Sequence, residues 1–133
     1  MKLVSRYALV GIAALAAVTA VQWLRENKLL RGEVPDYLLG VLPNLCAAVA
    51  ITFVLLSILA DQMKLIEYRT ARRWFLFAGA IAGVGLIGWE VVQLTSDNLI
   101  FDFNDIGATL AGLVLSAAVF HLLTPYTAEH PSP

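Results

Sequence analysis

Charged side chains make up only 14% of this 133-residue chain, against 59% hydrophobic residues. That is too little charge to coat a soluble domain of this size, and the mean hydropathy of +0.77 agrees. Cysteine occurs once, at Cys46, which excludes an intrachain disulfide and a cysteine-ligated metal centre. It reads as a small apolar residue within a helix. Histidine is limited to His121 and His130, so no cluster of imidazoles is available for metal-assisted chemistry. No stretch alternates polar and apolar residues over the ten or so positions of a membrane β-strand, and a β-barrel is excluded on that ground. One further shortage is local. From Gly88 to Gly112 there is no Lys or Arg, yet Glu90, Asp97, Asp102 and Asp105 all fall there.

What the sequence does have is long apolar runs. A hydrocarbon core of roughly 30 Å takes about 20 helical residues to cross, and four runs are long enough, at about 3–24, 37–60, 74–94 and 104–123. They predict an all-α membrane protein, a single four-helix transmembrane bundle over residues 1–123. A Pro-rich tail over 124–133 is expected to be disordered. The first run has the basic start and small-residue end of a signal peptide, but it is long for a signal core and is taken as a span. Trp23, Tyr37 and Trp74 stand at run ends, where interfacial aromatics belong.

Cation placement sets the expected orientation. Lys2, Arg6, Lys64, Arg69, Arg72 and Arg73 lie on one side, and Arg25, Lys28 and Arg31 on the other. The positive-inside rule then places both termini in the cytoplasm and the loops 25–36 and 95–103 outside. The segment from Glu26 to Asp36 is too short and charged to span, and is expected to lie along the outer surface. The basic stretch 62–73 reads first as a turn anchored by snorkelling cations, with an anionic-lipid site as its alternative.

Helical spacing puts Gly79, Gly83, Leu86, Glu90 and Gln93 on one face of the third helix. Asp105, Thr109, Gly112 and Ser116 form a matching stripe on the fourth. Small residues allow close helix approach, so Gly79, Gly83 and Gly112 are expected packing positions, with the two stripes facing each other or a shared cavity. Asp36, Gly40, Pro43 and Asn44 bring polar groups and an interrupted backbone to the same end of the second helix. An ionised carboxylate facing lipid costs about 2 to 3 kcal/mol or more, and intramembrane acids usually mark function. The candidate pocket is therefore Glu90, Gln93, Asp102, Asp105, Thr109, Asn44 and Asp36. Helix chemistry offers simpler roles for two of its neighbours: Asn104 as the cap of the fourth helix, and Asp105 as a first-turn acid on the helix dipole.

The run Glu90, Gln93, Asp102, Asp105, Gly112, within residues 88–115, resembles the signature of the VanZ-like membrane proteins: E-x-x-Q, a loop, an acidic pair, then D-x-x-x-N-x-x-G opening the last helix. This chain departs from it at Leu99, where the family commonly has Arg, and at Thr109, where it has Asn. Tyr37 and Gly40 stand where Lys and His often follow the acid before the second helix. The resemblance implies a bacterial cytoplasmic membrane protein of the cell envelope, associated with tolerance of glycopeptide antibiotics such as teicoplanin. It implies no reaction.

Three functions compete. The first is a non-enzymatic pocket, open to the outside, for a lipid or lipid-linked headgroup or a cationic antibiotic group. In the second, Glu90, Asp102 and Asp105 hold a divalent cation that activates water against a lipid-linked phosphate. The third is a small subunit that docks on a larger complex or on copies of itself. No catalytic residue, resident cofactor or nucleic-acid partner is assigned.

Overall fold

The computed structural model describes residues 1–63, 67–95 and 101–125, and within them the chain is all helix and short connections. The helices are α1 Leu3–Glu26, α2 Glu33–Met63, α3 Tyr68–Gln93 and α4 Phe103–Leu123. All four are long and apolar enough to cross a membrane.

The apolar runs located the helices but not all of their ends. α2 starts four residues before its run and α3 six. Backbone hydrogen bonding does not stop where hydrocarbon does; it continues through the headgroup layer until a residue breaks it. At about 1.5 Å per residue, the 31 residues of α2 exceed a hydrocarbon core of roughly 30 Å. The expected surface segment 26–36 is thereby corrected to a tight connection. Glu33 and Asp36 sit in the first turn of α2, at the positive end of its dipole.

That connection is built from two left-handed residues. The Lys28 N–H donates to the Arg25 carbonyl at 3.2 Å, and the Leu29 N–H to the Leu24 carbonyl at 3.4 Å. This pair of bonds is a Schellman closure of α1, with Lys28 at φ +50° where glycine is usual. An L-residue held there costs about 1 kcal/mol. Gly32, at φ +132°, then turns the chain into α2, and its carbonyl accepts the Asp36 N–H at 2.9 Å.

α2 is the hub. α1, α3 and α4 all pack on it, α3 also meets α4, and α1 barely touches α4. The largest buried side chains gather near the chain termini, where Tyr7, Phe53, Phe75 and Phe120 form one core. Phe75 and Phe120 stack with ring centres 4.4 Å apart, and Tyr7 lies 6.0 Å from Phe53 and 6.1 Å from Phe120. The buried Tyr7 hydroxyl pairs with the Thr124 hydroxyl at 2.7 Å, and Arg6 Nη1 donates to the Leu123 carbonyl at 3.5 Å. Thr124 is thus docked and buried, against the expectation of a tail free from 124 onward. Residues 126–133 lie outside the described residues, as do Lys64, Asp97 and Leu99.

Small residues set the helix spacing. Leu113 of α4 rests over the interior face of α3, its Cδ1 3.1 Å from where a Cβ on Gly83 would stand and its Cδ2 3.9 Å from the same point on Gly79. Gly112 faces elsewhere. A Cβ there would run into the Leu45 carbonyl oxygen and come within 2.9 Å of the Ala48 Cβ, both on α2. The small stripe of α4 therefore seats on α2, not on the stripe of α3.

Candidate functional site

With the aromatic core at the end bearing the termini, the interior of the opposite end holds Glu90, Thr109 and Ala108 beside Val21 and Leu39. There α3 finishes, and α2 and α4 begin. Because α3 and α4 run antiparallel and Leu113 covers Gly83, Glu90 lies about 10 Å further along, level with the first turns of α4. It continues the interior face of α3 beyond Ala78 and Ala82 and is only 3% exposed.

The buried hydroxyls are satisfied locally. Thr52 donates to the Ala48 carbonyl, Thr109 to that of Asp105 and Ser116 to that of Gly112, at 2.7, 2.9 and 2.8 Å. Such back-bonding one turn upstream is how a hydroxyl avoids being stranded away from water. Thr109 thereby commits its proton to its own helix and keeps only lone pairs to offer. Glu90 is different: among the described residues, its Oε2 is the one buried side-chain polar atom with no hydrogen-bond partner.

Asp102 and Asp105 divide the simple roles between them. Asp102, not Asn104, is the N-cap of α4: its Oδ1 accepts the Asn104 backbone N–H at 2.8 Å and the Asn104 side-chain amide at 2.8 Å. Asn104 instead accepts the Tyr37 hydroxyl at 3.4 Å, linking α2 to α4. Asp105 occupies the first turn of α4, as a dipole-complementing acid would. Its carboxyl lies beside the Asn44 amide and within the fields of Asp102 and Arg25. The cation missing from residues 88–112 is thus supplied in part by Arg25, through space and from the end of α1.

Gln93 is partly exposed at the end of α3, and Asn44 is half-buried in α2 next to Pro43. Proline has no N–H, so the Leu39 carbonyl lacks its usual helical donor at this same end. Asp36 does not join the other acids. It lines a separate open groove of about 440 Å³ with Arg25, Lys28, Leu30, Arg31 and Leu39.

Among the described residues no three His, Cys, Asp or Glu side chains come together as a metal-holding group. The set Glu90, Asp102, Asp105 expected for a divalent cation is therefore not assembled. The basic groove was the feature sequence reasoning passed over. Its signal was the three-residue spacing of Arg25, Lys28 and Arg31 on the side the cation count places outside.

The chain matches no protein-family model, no curated protein and no solved structure. Fold and composition define a small multi-pass membrane protein with four candidate spans. No family is identified beyond that class, and the VanZ-like pattern stands on residues 88–115 alone.

Proposed function

We propose that this membrane protein binds a cell-envelope component through a polar pocket around Glu90, at the end facing out of the cell. One observation carries the reading: a carboxylate 3% exposed, with one oxygen lacking a hydrogen-bond partner among the described residues, where the other buried polar side chains are bonded. Such a group destabilises the free protein unless something donates to it. An amine or hydroxyl on a lipid headgroup, a lipid-linked headgroup or an antibiotic has the required chemistry. Asp105 and Asn44 supply further polar contact, Gln93 stands at the rim, and Thr109 contributes an acceptor. The capping role of Asp102 suits it to holding the start of α4 in place. The cation distribution supports loops 25–36 and 95–103 outside, and the VanZ-like pattern at 88–115 supports a bacterial cytoplasmic membrane location and a role in glycopeptide tolerance.

The test is a susceptible bacterial host expressing wild type, Glu90→Gln or Glu90→Met, scored for teicoplanin tolerance, with each purified protein checked for monodispersity and thermal stability. Wild type should raise tolerance, and both variants should fold yet lose the effect. Folded variants that protect as well as wild type would reduce Glu90 to a packing residue.

A further inference from the structure

Arg25 lies in the last turn of α1, Lys28 forms its left-handed closure, Arg31 precedes the Gly32 turn, and Asp36 lies in the first turn of α2. The connection folds these onto one open groove of about 440 Å³, whose apolar walls are Leu30 and Leu39. Three cations against one carboxylate line the groove and leave it positive, while Glu33 and Asp36 in the first turn of α2 answer the positive end of that helix. Lys28 and Arg31 line it with no hydrogen bond or ion pair on their side chains among the described residues, and Arg25 lines it while also lying within the field of Asp105.

Lys28 makes the arrangement more than a solvated loop. A helix closure of this kind is strain-free with glycine, and a surface turn needs no charge at that position. The chain accepts left-handed backbone at a lysine and so sets an ammonium on the groove wall. Strain retained at a charged side chain that lines a cavity is a mark of binding. Cations on this side also do nothing for insertion, since the orientation proposed above is set by those on the other side.

We propose that this groove binds the anionic phosphoryl headgroup of an amphiphile at the outer membrane surface. The guanidinium groups of Arg25 and Arg31 match phosphate oxygens in pairs, Lys28 adds a point charge, and Leu30 and Leu39 meet the first carbons of the chains. The site is distinct from the Glu90 pocket and stands on different residues.

The experiment uses the full chain in uncharged maltoside micelles and follows thermal unfolding as dihexanoylphosphatidylglycerol is added, with dihexanoylphosphatidylcholine and inorganic phosphate in parallel. A ligand of the folded state raises the melting temperature with concentration. The anionic lipid should do so for wild type, and removing one cation should weaken binding roughly fivefold, the attraction between one basic side chain and an anionic headgroup. The variants are Arg31→Gln and Lys28→Gly, the second of which should melt higher than wild type without ligand because it relieves the left-handed strain. Arg72→Gln, at the opposite end, should bind as wild type does. Competition by inorganic phosphate would assign recognition to the phosphoryl group alone, and failure to compete would show that the acyl chains are needed. An equal shift with phosphatidylcholine, no shift with the anionic lipid, full binding by both groove variants, or loss of binding in Arg72→Gln would each overturn the proposal. None of those outcomes touches Glu90, whose variants keep all three cations.

Discussion

Among the described residues the Glu90 Oε2 has no donor, and a buried carboxylate oxygen in that state is a cost carried by the ligand-free protein. Replacing Glu90 by Met, close in volume and uncharged, should raise the stability of purified protein by about 1 to 3 kcal/mol, the desolvation of one unsatisfied polar group. Thermal unfolding in detergent measures it, and a lower melting temperature would mean that Glu90 has a partner when folded. The two packing glycines behave differently from each other. Gly112→Ala drives a methyl into a backbone carbonyl of α2 that cannot move aside, and should cost about 3 kcal/mol, the upper range for overpacking. Gly83→Ala meets only the far end of the Leu113 side chain. Its gain in helix propensity, about 1 kcal/mol, should offset the displacement and leave the melting temperature nearly unchanged.

At the scale of elements, the start of α4 separates capping from binding. Asp102→Ala removes the acceptor for the Asn104 N–H and should cost about 1 kcal/mol, whereas Asp102→Asn keeps an oxygen there and should melt as wild type does. If the Asn variant also keeps the tolerance phenotype, the charge of Asp102 is not used in binding. The same helix shows where sequence reading works and where it stops. The spacing of Asp105, Thr109, Gly112 and Ser116 marked an inward stripe, and of these Thr109, Gly112 and Ser116 are buried and Asp105 is half-buried. Periodicity fixes which side of a helix is turned inward, but it carries no information about which neighbour lies there, and at Gly112 that neighbour is α2. The boundaries of α2 and α3 were missed for a related reason: hydropathy records where lipid ends, not where backbone hydrogen bonds end. Glu90 was legible as an acid in an apolar run. Its unpartnered oxygen was not, because satisfaction depends on which side chains arrive from other helices. The groove at Arg25, Lys28 and Arg31 depends on a backbone closure that no hydrophobic pattern encodes.

For the whole molecule, orientation is the testable property. With Cys46→Ser as a cysteine-free background, a membrane-impermeant maleimide applied to intact cells should label Leu29→Cys and leave Arg72→Cys unlabelled until the membrane is broken. The reverse pattern would invert the bundle and turn the Glu90 pocket toward the cytoplasm. The arrangement around α2 has a consequence for how the protein is made. α1 leans almost entirely on α2, so the first hairpin has most of its helix pairing in place while the remainder is still being synthesised. Each later span then finds its docking face already present in the bilayer, and the end bearing Tyr7 is the part that waits, until Phe120 of α4 and the Thr124 hydroxyl arrive to close it.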